Sequence, residues 1–159
     1  VIDALLDAWQ STVAGRDRAA FAHVCALDVH YEDPLTPEPA TGCDALGDHF
    51  AQLWVAFPDA RVQTAGERLS DGRFVAAPVR IAGTHTGEAG DLPATGRAID
   101  VHAVFFCELD ADRERLWRVR AFYDLYAAGQ QLGMFPRRGG AGQKALFMLR
   151  GFGLRARGR

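Results

Sequence analysis

The feature that most limits how this chain can fold is a change of period near Arg61. Before it, apolar residues recur at helical spacing. In IDALLDAWQSTVAG, Ile2, Leu5, Leu6, Trp9 and Val13 share one face; in DALGDHFAQLWVAF, Leu46, Phe50, Leu53, Trp54 and Phe57 do. After it, ARVQTAGERL, RFVAAPVRIAGTH, RAIDVHAVFFCEL and RLWRVRAFYD alternate with a period of two and predict four strands. DGR (71–73) and DADRER (110–115) supply hairpin turns, and GEAGDLPATG (87–96) a longer loop. Helices first and a meander later is an α+β order. It predicts a curved, mostly antiparallel sheet wrapped on the N-terminal helices, a cone-shaped barrel with an apolar interior.

Shorter signals complete the pattern. Gly15 ends the first helix, and Asp17 caps a second over RAAFAHVCA. DVHYED reads as a short strand that Pro34 closes, because proline cannot donate to a ladder. Asp124 caps a last short helix, LYAAGQQLG. Alternation sorts the strand faces. Val101, Ala103, Phe105, Cys107 and Leu109 form the more apolar set of one strand, and Trp117, Val119, Ala121 and Tyr123 that of the next. These sets are expected to line the interior, together with Trp9 and Trp54 from the helices. His102, Arg118, Arg120, Phe106 and Phe122 then face outward, and the two phenylalanines predict a homodimer through the outer sheet face.

A chain of 159 residues favours one folded unit. Its charge is split. Residues 1–124 carry all 20 acids and 11 of the 18 bases, while residues 125–159 carry the other seven bases and no acid. The expected division is a folded domain over 1–136 and a basic tail over 137–159, joined by the hinge PRRGGAG. The tail mixes Leu146, Phe147, Met148, Leu149, Phe152 and Leu154 with its bases, as a segment resting on a membrane surface or a partner would. A tail docked on the acidic body of its own chain or a sister subunit is the alternative. The acidic body would be repelled by phosphates, so no nucleic-acid partner is expected.

Cys25, Cys43 and Cys107 are too dispersed for a disulfide framework or a zinc spacing, and suit a reducing cytoplasm. VIDALLDAWQ has no basic segment of the kind that opens a secretory leader, which points the same way. No two of the five histidines lie within a helical turn of each other, and no phosphate-cradling glycine motif occurs. Neither a metal nor a cofactor is expected. Asp124 is expected to cap its helix, and His85, in GTHTG, to make a backbone bond at a strand end.

One stretch stands apart: HYEDPLTPEPATG, where Asp33 sits at a strand end ahead of Pro34, Pro37 and Pro39. Two readings are open. Asp before Pro starts turns. A carboxylate held by a stiff loop can also be a base. Tyr31, two residues earlier, shares its face.

YEDPLTPEPATG resembles the loop of bacterial ketosteroid isomerases, which read close to E-D-P-x-x-x-E-P-x-x-G. GTHTGEAGDLPATGR (83–97) and FYDLYAAGQQLG (122–133) resemble the SnoaL-like polyketide cyclases. Both groups belong to the nuclear-transport-factor-2-like superfamily, with limonene epoxide hydrolase and scytalone dehydratase. The resemblance covers roughly residues 2–133. It places the isomerase's proton-abstracting Asp on Asp33. The isomerase's Tyr donor falls near Trp9 and its protonated Asp on Phe105, and neither matches. The last-strand acid of the cyclases and the epoxide hydrolase falls on Ala121. Tyr31 with Asp33 resembles the pair that holds the hydrolase's water.

The resemblance implies an isomerase or cyclase that abstracts a proton from a small hydrophobic, steroid-like or polyketide-like carbonyl compound. Asp33 and Tyr31 would be catalytic; Trp9, Trp54, Ala103, Phe105, Ala121 and Tyr123 would contact substrate. The alternative is a non-catalytic protein that binds a small hydrophobic ligand in the same fold.

Overall fold

In the computed structural model, which describes residues 2–148, helix α1 spans Ile2–Gly15 and buries Leu6, Trp9, Gln10 and Val13. That is the i, i+3, i+4, i+7 stripe its sequence dictates. Arg68 ties the outer side of α1 down, donating to Asp3 at 3.2 Å and Asp7 at 2.6 Å. The expected second helix is shorter than its sequence suggests. Asp17 accepts from the Ala19 N–H to start a 3₁₀ turn at Arg18–Ala20, and α2 covers only Phe21–Val24. Strand β1 (Cys25–Glu32) begins at once, because Cys25 is already paired with Leu116.

After the two-residue β2 (Ala40–Thr41), helix α3 (Cys43–Ala56) buries Leu46, Phe50 and Trp54. The meander follows as β3 (Arg61–Thr64), β4 (Leu69–Ser70), β5 (Phe74–Thr84), β6 (Ala98–Leu109) and β7 (Leu116–Tyr123). Helices α4 (Leu125–Gln131) and α5 (Ala141–Phe147) close the described chain. The sheet has seven strands in the order β2-β1-β7-β6-β5-β3, with β4 also on β5. Every pairing is antiparallel except β1 with β7. The architecture is α+β, a curved, open sheet over helices that fits a cone.

Two departures from simple alternation have local causes. The stretch read as one strand over residues 60–69 is two, because β5 presents Pro78 opposite the gap. Pro78 has no N–H to give; its carbonyl accepts from Ala65, and Gly66 lies against its ring. The second is a register shift between Glu108 and Leu109. Beyond it Leu116 is fully buried although it belongs to the set expected outside. Glu108 is also buried, held by Arg73 at 2.7 Å.

Trp117, expected inside, sits at that shift half-buried instead, packed on His30 and donating to Asp28. The rest of the interior sets lie where expected, with Val101, Ala103, Phe105, Cys107, Val119 and Ala121 all buried. Phe106 and Phe122 are 39% and 56% exposed on the opposite face. Asp124 caps α4 by accepting from the Ala127 N–H at 2.9 Å. Pro136 is tied to α4: its carbonyl accepts from Tyr126 and Gln130, both at 2.8 Å. Phe135 stacks flat on Tyr126.

Beyond Pro136, Arg138 pairs with Asp124 near the surface, and α5 buries no residue. Leu149, Phe152 and Leu154 lie outside the described residues. Among the described residues, truncation after Pro136 removes one exposed ion pair, the contact of Arg138 with the Tyr126 ring and no buried residue. Such a pair is worth about 0–1 kcal/mol. Thermal unfolding of a 1–136 chain should stay cooperative, with a midpoint within a few degrees of the full chain's. A large drop would mean that the tail helps build the core.

Candidate functional site

Asp33 follows β1, and its two carboxylate oxygens have different partners. Oδ1 accepts the backbone N–H groups of Leu35 at 2.7 Å and Thr36 at 3.1 Å. The Thr36 hydroxyl accepts from the Asp33 N–H and donates to the Asp33 carbonyl. This oxygen therefore makes the turn that Pro34 favours. Oδ2 instead accepts the Tyr31 hydroxyl at 2.9 Å and lies 2.7 Å from His49 Nε2. The two readings left open by the sequence, turn residue and poised carboxylate, fall on different oxygens of one side chain.

Tyr31 reaches Oδ2 because residues two apart on a strand share a face. His49 reaches it from α3. Its ring lies 5.4 Å from those of Tyr31 and Phe50, on the inward side of the helix. His49 is not among the residues expected from the sequence, because its partner Asp33 lies sixteen residues away. The available signal was position: three residues after Leu46 and four before Leu53, His49 interrupts an apolar stripe.

Burial alone would raise the Asp33 pKa. The hydrogen bond and charge of His49, the Leu35 N–H and the Tyr31 hydroxyl outweigh it, and the carboxyl is held below its ordinary value. Burial, then the neighbouring Asp33 charge, pushes both Tyr31 and Tyr123 well up, so both remain protonated donors. At neutral pH the site is one buried carboxylate beside two phenols.

These groups face a cavity of about 220 Å³ enclosed by the sheet, α3 and α4. Its lining is almost wholly apolar. The exceptions are Tyr31, Asp33, Tyr123, His85 and Trp54, and the Trp54 indole N–H is already given to the Val13 carbonyl at 2.7 Å. Phe105 and Ala121, paired across β6 and β7, line the wall near Asp33. Where the resemblance would place polar partners, this cavity is hydrocarbon. Asp33 and Ala121 also border a second, more open cleft formed with Pro34, Pro37, Pro39 and Arg120.

Two expected contact residues lie elsewhere. Trp9 is fully buried behind the lining, packed on Phe21, Tyr31, Phe50 and Phe105 with ring centroids 5.6–6.0 Å apart. Ala103 is buried in β6 and is not part of the lining. Among the described residues, no three His, Cys, Asp or Glu side chains gather as a metal would require. No helix there is long and apolar enough to cross a membrane.

The family model of the SnoaL-like polyketide cyclases matches residues 3–132, nearly the whole of the sheet and its helices. This chain belongs to that family. Solved SnoaL-like relatives share the fold at low identity. A candidate SnoaL-like polyketide cyclase from Jannaschia sp. CCS1 superposes with a TM-score of 0.72 at 18% identity, over 84% of this chain and 91% of that one. TsrD from Streptomyces laurentii gives 0.71 at 16%, over 84% and 95%. A candidate polyketide cyclase from Acidithiobacillus ferrooxidans gives 0.69 at 23%, over 81% and 92%. No curated protein matches this SnoaL-like chain.

Proposed function

We propose that this SnoaL-like chain is a cyclase or isomerase that removes a proton next to a carbonyl of a compact hydrophobic compound, with Asp33 as the base. The observation that carries the reading is the ionised Asp33 set with Tyr31 and Tyr123 in the wall of an otherwise apolar cavity. General-base chemistry needs a carboxylate within reach of the substrate and shielded from water.

The Tyr31 hydroxyl is a rotor. When it turns from Oδ2 to the substrate carbonyl, the oxygen gains a donor and Oδ2 loses one. The same movement polarises the substrate and strengthens the base. The C–H bond then breaks, its proton passes to Oδ2, and its electrons move to the carbonyl oxygen. The enolate accepts a hydrogen bond from Tyr31 or Tyr123. It can attack a second carbonyl, whose oxygen takes the proton back as a ring closes. It can instead be reprotonated at another carbon, which is isomerisation.

The low Asp33 pKa limits the substrate. A weak base needs an acidic carbon, so a C–H flanked by two carbonyls, as in polyketide-like chains, suits it better than a simple ketone. The cavity volume, under the usual range of about 300–1,000 Å³, also favours a compact ligand over a four-ring one. The test is solvent exchange. In D₂O the protein should speed deuterium uptake between the carbonyls of an aromatic 1,3-diketone, followed by proton NMR, and leave a matching monoketone untouched. Equal or absent uptake in both would refute the reading.

A further inference from the structure

We propose that His85 is a second polar anchor of the cavity, donating from Nε2–H to an oxygen at the end of the ligand remote from the reacting carbonyl. The inference rests on the ligand-cavity reading above and extends it to substrate shape.

His85 follows β5 at the start of the 85–97 loop. Its backbone is clamped on both sides: its N–H donates to the Arg97 carbonyl at 2.9 Å, and its carbonyl accepts from Gly96 at 2.8 Å. The ring packs on Phe57 with centroids 5.2 Å apart, and the residue is only 1% exposed. The Thr95 backbone N–H lies 3.2 Å from Nδ1. A backbone N–H can only donate, so Nδ1 must accept, and the ring hydrogen is on Nε2. The Thr95 hydroxyl, 3.1 Å from Nδ1, reinforces this tautomer.

Nε2 is buried and has no hydrogen-bond partner. Leaving a buried donor unpaired is destabilising. A fold that fixes the tautomer with two groups on one edge, and leaves the other edge unmatched in a cavity wall, has a donor held ready for an acceptor. The other polar groups of the lining do not supply one. Tyr31, Asp33 and Tyr123 belong to the opposite end. Phe105 pairs with Ala121 near Asp33, whereas Thr84, beside His85, pairs with Ala98. The two sets of polar groups thus meet the cavity from different ends of β6. The ligand class is therefore a compact apolar compound with two oxygens, the reacting carbonyl at one end and a carbonyl or ether oxygen at the other.

The test uses two probes of similar shape: 2,6-diacetylnaphthalene, with an oxygen at each end, and 2-acetyl-6-isopropylnaphthalene, with one. Binding is followed by quenching of tryptophan fluorescence, since Trp54 lines the cavity. The wild type should prefer the diketone about 3- to 10-fold, the worth of one net hydrogen bond. His85→Phe should abolish the preference, and His85→Gln, which restores a donor at similar reach, should recover part of it. The His85 Nε2–H resonance in the wild type should shift with the diketone and not with its partner, which checks the contact without any variant. Equal binding of both probes with no shift would overturn the anchor and leave the cavity reading intact. Failure of both probes to bind the wild type would overturn the cavity reading and the anchor with it.

Discussion

Asp33→Asn should lower deuterium uptake into the 1,3-diketone by about 10²-fold or more, the usual share of a general base, while the protein stays folded and still binds the probe. Asn keeps an oxygen for the Leu35 and Thr36 N–H groups, so the turn survives. Its NH₂ faces Tyr31 and His49, and both can accept: a phenol oxygen has lone pairs, and a neutral imidazole can move its hydrogen to the other nitrogen. Asp33→Leu is the contrast. It unmakes the turn and strands several donors, at about 1–3 kcal/mol for each one left buried. An Asn variant with full exchange activity would remove the base and favour a binding protein with the same cavity.

The same variant reads the pH dependence. Asp33 has a folded pKa below its unfolded one, so it contributes stability above the unfolded value. That contribution fades as pH falls through the ordinary carboxylate range towards the lower folded pKa. Asp33→Asn should be less stable than wild type at neutral pH, and the gap should close in acid. The acid limb of exchange activity, if Asp33 is the base, should lie below the ordinary carboxylate pKa.

Trp9→Ala should be the most damaging single truncation outside the polar cluster. The ring is fully buried among four aromatic neighbours, and deleting a buried Trp side chain costs about 3–5 kcal/mol. In a chain of this size that lowers the melting midpoint by roughly 6–20 °C. Trp9→Phe should cost less than half as much. It leaves a smaller void and removes an indole N–H that is buried without a partner. Exchange activity of the Phe variant should stay close to wild type, because Trp9 does not line the cavity. A folded Trp9→Phe protein without activity would return the residue to the site, where the family resemblance placed it.

The fold was legible because its signals are local. Stripes at Leu6, Trp9 and Val13 and at Leu46, Phe50 and Trp54, and alternation through Val101 to Leu109, each need only a few neighbouring residues to be read. The misses occurred where a distant partner decides. Pro78 splits β3 from β4 from across the sheet, and the shift at Glu108 turns Leu116 inward. Of the candidate site, Tyr31 and Asp33 were visible through strand periodicity and the proline-rich loop. His49 was not, since its link to Asp33 exists only once α3 lies on β1. Nor was the His85 tautomer, which depends on Thr95, ten residues later.

The parallel pairing of β1 with β7 fixes when the cavity can exist. Tyr31 lies opposite Val119, and Glu32 reaches Arg120 across a sequence separation of 88 residues. Closing so long a loop is among the slow, entropically costly steps of folding. Asp33 can have its turn early, from contacts within four residues, but Ala121 and Tyr123 come from the far end of the folded chain. A chain still being synthesised, or one cut before β7, can hold the base with no chamber around it. Ligand capture therefore belongs to the end of folding, and a tightly held ligand would act as a clasp between the first strand and the last.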